Sequence, residues 1–494
     1  MVAGPDGAVP PTIHGELAAA ARRYGDAAGV VQIAPSGAVV SRIGLRQLDR
    51  AAADRAERLS REIPAASRRV AVSVTNSIAS VVDLLAVLRY GASAVVVDDA
   101  DSAERKDEQT ALLCDAVLTR DPHGSQVRLP AAARPLPGTE ESGLVVFTTG
   151  STAASKPVAQ SHRAVLANVH ATIRHHGMRP GETMACALPL SHVNGLHFGL
   201  LATLLSGGVC VLFERFDPLS YLRVLARTRA NRATTVPSLL HALADMPRWP
   251  DLDDLRYFVT AAAPLPVATA RAVHARGGHR LVQGYGLSEC MNFATTMPVD
   301  LAGAAYEEHV LRRPIPAVGH QLGSCEVAVL AADGTRLPAG EVGEVAVRGD
   351  SLMSGYIGDP AATDEAVGSG WLRTGDLGRL EERPSSHPWL TLVGRQKNVA
   401  KCGGLSVSLE ELDRWLDRLD GVREACCVRV PDARRGDAVT ACYVPQPAGA
   451  EPEDVRRHIA RRFDPGAIGL TVLRLERLPR LRSGKIDRRA LGQR

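Results

Sequence analysis

Residues 147–158 read FTTGSTAASKPV. The apolar run Leu144 to Phe147 leads into them and predicts a buried strand. Hydroxyls, small residues and a lysine just after a strand suit a loop that closes backbone N–H groups and a cation around phosphate. The spacing is not that of the G-x-x-x-x-G-K-[ST] loop. Counting from Gly150, Ser155 takes the second glycine position, and Pro157 stands where a magnesium-binding hydroxyl belongs. The segment is a phosphate loop of another kind or a polar turn, and its surroundings must decide.

On the N-terminal side, RRVAVSV, SIASVVDLLAVLRYG and ASAVVVDD read as strand, helix and strand, a βαβ unit. On the C-terminal side, SHRAVLANVHATIRHHG carries a helical pattern and GETMACALPL a strand. Residues 315–350 change to short strands and turns, which predicts a small β subdomain. Beyond VGRQKN the pattern becomes α+β: helix SLEELDRWLDRL, strands EACCVRV and DAVTACYV, helix EDVRRHIARRF. The fold predicted is α/β, with a large N-terminal lobe of βαβ layers and a smaller C-terminal α+β domain.

A chain of 494 residues exceeds what one core supports. Its 45% hydrophobic and 23% charged residues are those of a globular protein. A net charge of +4 gives no support to nucleic-acid binding. Nine cysteines without a C-x-x-C pair fit reduced thiols better than a disulfide frame or a zinc site. The start MVAGPDGAVPPT lacks the basic and apolar regions of a signal peptide. The apolar stretch LLATLLSGGVCVLF is too short and glycine-rich to span a membrane, so the expected location is the cytoplasm.

Seven further segments follow the opening loop in order: LPLSHVNG (188–195), TAAAPLP (260–266), QGYGLSE (283–289), GEVGEVAVRG (340–349), WLRTGDLG (371–378), GRQKNVAKCGGLSVSLEELD (394–413) and RSGKIDRR (482–489). Each alone has a bland reading: Y-G-L-S-E as a plain turn, T-G-D as a hairpin turn, the last as a basic tail. Jointly, across roughly residues 140–490, they resemble the adenylate-forming superfamily of acyl-CoA synthetases, stand-alone adenylation enzymes and luciferases. The resemblance implies that a carboxylate and ATP give acyl-AMP and pyrophosphate, after which a thiol takes the acyl group. It also implies a domain plan of 1–394 (β subdomain about 315–394), a hinge at 395–397 and a swivelling domain at 398–494.

Residue by residue, the resemblance places Thr148, Thr149, Gly150, Ser151, Thr152 and Lys156 around the β- and γ-phosphates of ATP. Hydroxyls, amides and a cation there would offset charge on departing pyrophosphate. Tyr285 would stack on adenine, with Gly286 beside it, Ser288 would touch phosphate and Glu289 would hold Mg²⁺. Asp376 would accept from the ribose hydroxyls, and Arg395 would reach the ribose or phosphate. Lys485 matches the catalytic lysine, bridging the carboxylate and the α-phosphate as charge builds. Lys397 takes the hinge position, and Gly403 and Gly404 would leave a path for the pantetheine arm of CoA. His192, Asn194, Gly195, Ala262, Ala263 and Gly284 would border the acyl pocket, although the same residues suit a tightly packed core.

The loop departs from the family pattern [ST]-S-G-[ST]-T-G-x-P-K-G. Ala153 replaces its second glycine, Ser155 its proline and Pro157 its last glycine. An alanine forced to positive φ costs on the order of 1–2 kcal/mol, and proline removes a backbone donor. Either a stiffer loop still binds ATP, or the enzyme thioesterifies an acyl-adenylate made elsewhere. The leading expectation is a free-standing carboxylate–CoA ligase using ATP (or preformed acyl-AMP), Mg²⁺ and CoA. The alternatives are that acyl-AMP-dependent ligase, a stand-alone enzyme loading a separate carrier protein, and a non-catalytic acyl-adenylate-binding protein. No aspartate lies in 188–196 to receive an α-ammonium group, which argues against amino acids. Few aromatics (4%) and Ala/Gly-rich walls suggest an aryl or polycyclic acid, in a monomer or homodimer.

Overall fold

The computed structural model describes residues 11–493, except 66, 112, 122–123, 130–141, 149–154, 314, 384–385, 404, 448 and 481–485. The βαβ unit forms as its sequence predicts. Strand Arg69–Val74 is buried throughout and pairs in parallel with Ser93–Asp98. That double burial is why Val70–Val72 and Ala94–Val97 are continuous apolar runs rather than alternating ones. The helix between them, Ile78–Tyr90, starts where Ser77 Oγ accepts the N–H of Ser80 and stops where Gly91 turns left-handed at φ 93°. Helix His162–His176 uses the same two signals, Ser161 and Gly177.

These strands belong to a seven-stranded sheet that also contains Ser142–Phe147, Pro157–Ser161 and the short edge strand Gly355–Tyr356. A nine-stranded sheet runs beside it. At its centre Leu281–Tyr285, Tyr257–Thr260, Arg232–Thr235, Thr183–Cys186 and Val209–Phe213 lie parallel in that order. The β subdomain is a four-stranded antiparallel sheet of Cys325–Leu330, Gly343–Gly349, Leu372–Arg383 and Ser386–Arg395. It begins later than 315, because His320–Gln321 pairs with Thr295–Thr296 and so joins the nine-stranded sheet.

One apolar core runs from Ile13 to Leu390. A second, from Ala400 to Leu470, is separate and lies on one face of the C-terminal sheet. The other face is covered by Leu478 and Leu491. The result is a mixed α/β fold, a large N-terminal sheet lobe with a smaller C-terminal domain. Among the described residues no helix is long and apolar enough to cross a membrane.

The N-terminal helix Ile13–Tyr24 is tied to helix His162–His176 by a bond from the Ile13 N–H to His162 Nδ1 at 3.3 Å. Burial, then the neighbouring His14, pushes the His162 imidazole down to about 4. Below the usual histidine value of 6.5 the unfolded chain therefore takes a proton that the folded one refuses. The contribution is complete above pH 6.5 and is lost as pH falls toward 4, and it is on the order of 3 kcal/mol. Urea unfolding at pH 7 and pH 5 should show this loss in the wild type and a smaller one in His162→Gln. Equal slopes would exclude His162 as the source.

Candidate active site

Parallel sheets bind ligands beyond the carboxyl ends of their strands. Tyr285 is the last residue of Leu281–Tyr285, at such an end. The next residue has to be glycine: a Cβ on Gly286 would lie 1.5 Å from the carbonyl oxygen of Asn292. The Tyr285 hydroxyl donates to Asp376 Oδ2 at 2.9 Å, and Arg395 Nε lies 2.6 Å from Asp376 Oδ1. Asp376 is buried, whereas the Arg395 side chain is 40% exposed. Burial, then the Asp376 charge, pushes the Tyr285 phenol well above its ordinary value, so it stays a donor. A carboxylate has about four lone-pair directions. Two are taken, and the remainder suit a pair of vicinal hydroxyls.

The segment carrying Asp376 is not a hairpin turn. Thr374, Gly375 and Asp376 form an irregularity inside strand Leu372–Arg383, where the register on Gly343–Gly349 jumps between Glu344 and Ala346. Gly375 supplies the bend at φ 68°. Glu344 fixes it: Oε1 accepts the Gly375 N–H at 2.9 Å and Oε2 accepts Arg373 Nε at 2.7 Å. Thr374 Oγ1 donates to the Val345 carbonyl at 2.7 Å. On the other side, the antiparallel register sets Asp376 directly opposite Arg395.

The opening loop joins two antiparallel strands in which Phe147 faces Pro157. Thr148 and Lys156 close it, Thr148 N to Lys156 O and Lys156 N to Thr148 Oγ1, each at 3.0 Å. Pro157 opens its strand, where a missing donor is tolerated. Thr149, Gly150, Ser151 and Thr152 lie outside the described residues. Gln160 Nε2 donates to the Ser288 carbonyl at 2.8 Å, which ties the loop's second strand to the turn Ser288–Cys290. Glu289 Oε1 accepts the Tyr356 hydroxyl at 2.9 Å. No group of three or more metal-ligating side chains occurs among the described residues. Glu289 fits magnesium all the same, because that ion is ordinarily held by one or two carboxylates together with substrate phosphates.

The remaining residues lie in or after strands of the nine-stranded sheet or at the junction with the C-terminal domain. His192 is half-buried, in a turn where its N–H reaches the Pro189 carbonyl at 3.1 Å. Asn194 opens the π-helix Asn194–Ala202 and accepts the Thr234 hydroxyl at 3.0 Å. A Cβ on Gly195 would lie 2.3 Å from Pro189 O, and one on Gly284 2.6 Å from the Phe293 ring. Both glycines therefore serve close packing around the turn. Ala262 is exposed and takes φ 70°, which costs an alanine about 1–2 kcal/mol, with Ala263 half-buried beside it. Lys397 lies in the turn Gln396–Asn398, where burial and then Arg395 lower its pKa. Asn398 Nδ2 bonds to Glu410, and Arg414 reaches across to the Val393 carbonyl at 2.7 Å. Gly403 turns at φ 57° between Cys402 and Leu405, which pair. A side chain at 403 would meet nothing within 4 Å, so conformation is what asks for glycine in this pose. Gly404 and Lys485 lie outside the described residues.

Residues 115–357 match the family model for AMP-binding enzymes, and 411–485 match that of the AMP-binding enzyme C-terminal domain. The chain is 31% identical to the sulfoacetate–CoA ligase of Cupriavidus necator, over 79% of this chain and 75% of that one. It belongs to the adenylate-forming, AMP-binding enzyme family. A medium/long-chain-fatty-acid–[acyl-carrier-protein] ligase of Mycobacterium tuberculosis is 28% identical, over 76% of this chain and 71% of that one. Among solved structures, ATP-bound MatB from Rhodopseudomonas palustris superposes with a TM-score of 0.83 at 25% identity, covering 98% and 99% of the two chains. This adenylate-forming enzyme is an AMP-forming acid–thiol ligase.

Two residues of the enzyme's site escaped sequence reasoning. Glu344 carried a signal: a lone acid among apolar alternation in GEVAV is a buried charge that needs a partner. Tyr356 carried none, because a two-residue strand leaves no periodicity to read.

Proposed function

We propose that the enzyme activates a carboxylic acid as acyl-AMP and passes the acyl group to the thiol of CoA. In the first half-reaction a carboxylate oxygen attacks the α-phosphorus of ATP, the bond to the bridging α–β oxygen breaks, and pyrophosphate leaves. In the second, the thiol sulfur attacks the acyl carbonyl, AMP departs with the C–O bonding pair, and the thiol proton goes to solvent. The observation that carries this reading is the Asp376 carboxylate. Tyr285 and Arg395 engage it from either side, and lone pairs remain for the two ribose hydroxyls of either nucleotide.

Tyr285 and Arg395 would orient Asp376 and flank the adenosine, with Ser288, Thr148 and Lys156 toward the phosphates. The family resemblance gives Thr149, Gly150, Ser151 and Thr152 the same phosphate-binding role. Glu289 would hold magnesium, which supplies charge neutralisation at the departing pyrophosphate. Lys485 would stabilise charge building on the α-phosphate. The turn at Lys397 would let the C-terminal domain swing, so that Gly403 and Gly404 open the thiol's path. CoA is the preferred acceptor, by analogy with the sulfoacetate ligase, and a carrier protein is the alternative that the second relative suggests.

A second reading has a specific observation behind it. The Lys156 N–H is spent on Thr148 and residue 157 has no N–H, so two donors flanking the loop are withdrawn from phosphate. The enzyme would then thioesterify an adenylate made elsewhere. Two assays on the full chain decide. Pyrophosphate exchange with aryl, polycyclic, fatty and short polar acids tests adenylation, and synthetic acyl-AMP with CoA or a carrier protein tests transfer. The main proposal expects both with a matched acid. Transfer without exchange selects the second reading, and failure of both rejects the ligase assignment for that panel.

A further inference from the structure

Tyr356 lies on an edge strand fixed from both sides. Gly355 and Tyr356 pair with Ala159 and Val158, and the Tyr356 N–H donates to Thr363 Oγ1 at 2.9 Å. Thr363 in turn donates to the carbonyl of Asp359, the residue that caps helix Pro360–Val367. The backbone that carries the phenol is therefore fixed, and its side chain is held by the contacts at its ring and hydroxyl. Its two polar faces are both in use. The Lys156 ammonium sits 4.8 Å from the ring centroid, over the negative face of the π system. Asp359 Oδ2 lies 4.0 Å from the same ammonium, a solvent-screened pair that Tyr356 and Glu289 variants leave in place. The hydroxyl donates to Glu289 Oε1 at 2.9 Å. The Met353 N–H holds the backbone of Glu289 at 2.8 Å, so the carboxylate is fixed at its base as well.

Opposite charges this near a shared site pair with each other unless something intervenes. A lysine–glutamate pair here would withdraw the cation meant for phosphate and the anion meant for magnesium. One phenol prevents it, offering its face to the cation and its hydroxyl to the anion. The hydroxyl also occupies only one carboxylate oxygen. Among the described residues, Oε2 of Glu289 has no hydrogen-bond partner.

We infer that Tyr356 is a positioning residue that keeps Lys156 and Glu289 apart and individually available to a magnesium–triphosphate. The inference rests on the proposed nucleotide site and adds a residue to it. The test is calorimetric binding of α,β-methylene ATP to the full chain across a series of free Mg²⁺ concentrations. Y356F keeps the ring and should retain metal-free nucleotide affinity, while its Mg²⁺ midpoint rises about tenfold or more, the loss of one charge-assisted bond. Y356L should lose affinity with and without metal, because lysine and glutamate then pair. The double variant Y356L/E289Q should recover the metal-free affinity, because Lys156 has lost its false partner. Circular dichroism and the thermal midpoint of each variant report whether it has folded. Unchanged midpoints in Y356F and Y356L, or no recovery in the double variant, would overturn the inference while leaving the ligase reading intact. A wild-type chain that binds no α,β-methylene ATP would sink the inference and the adenylation half of the ligase reading together.

Discussion

Asp376→Ala should suppress both half-reactions, lowering kcat/KM for ATP and for preformed acyl-AMP by on the order of 10²–10⁴-fold. The size follows from what one carboxylate does. A hydrogen bond to a charged group contributes about 1.5–3 kcal/mol, and two ribose hydroxyls would each lose one. Both nucleotides carry the same ribose, so the damage cannot be confined to one step. Stability falls too, for a reason the exposures make specific. Tyr285 is 7% exposed, so its hydroxyl loses its charged acceptor inside the protein and keeps only Thr374, at a cost of about 1 kcal/mol or more. Arg395 can turn to solvent and adds little. Asp376→Asn keeps the shape and an acceptor, so its thermal midpoint should lie nearer wild type while its turnover stays depressed. A wild-type KM for ATP in Asp376→Ala would remove the ribose from this site.

The same neighbourhood marks where sequence reasoning reaches its limit. Helices Ile78–Tyr90 and His162–His176 were legible to their ends, because a serine cap and a left-handed glycine are local chemistry that needs no knowledge of neighbours. The parallel strands were legible because burial on both faces writes an apolar run. Thr374-Gly375-Asp376 was not. The tripeptide is compatible with a hairpin turn, and only the pairing of its strand with Gly343–Gly349 makes it an irregularity that aims Asp376 inward. Register is a property of two strands, and neither contains it alone. Gly286 shows the same limit, since its need for glycine comes from the approach of Asn292 six residues on. The ordered motifs named the adenosine residues, but the bonds that orient them run between segments about ninety residues apart.

Lys485→Ala should behave differently from Asp376→Ala, and the difference separates the two halves of the mechanism. Adenylation should slow by on the order of 10²–10⁴-fold, because a preorganised cation facing a developing phosphate charge is among the largest contributions a single residue makes. Thioester formation from synthetic acyl-AMP should remain within a few-fold of wild type. The reason lies in what the lysine travels with. Arg480 and Ile486, on either side of it, meet across an antiparallel bridge. Just beyond, Arg488 holds the Cys427 carbonyl and Asp413 of the C-terminal domain. The residues that flank position 485 in sequence thus belong to that domain. If the domain turns at Lys397 to admit the thiol, the lysine leaves the nucleotide before transfer begins, and losing its side chain costs transfer little. Asp376 lies in the large lobe and would serve both poses. The two variants thus form a cross: one residue lost from both reactions, the other from one. If Lys485→Ala were equally slow in both assays, either the lysine would act in transfer as well or the domain would not turn between the steps. Restricting the turn by Lys397→Pro distinguishes these outcomes, because a chain that needs the motion should then lose transfer while exchange persists.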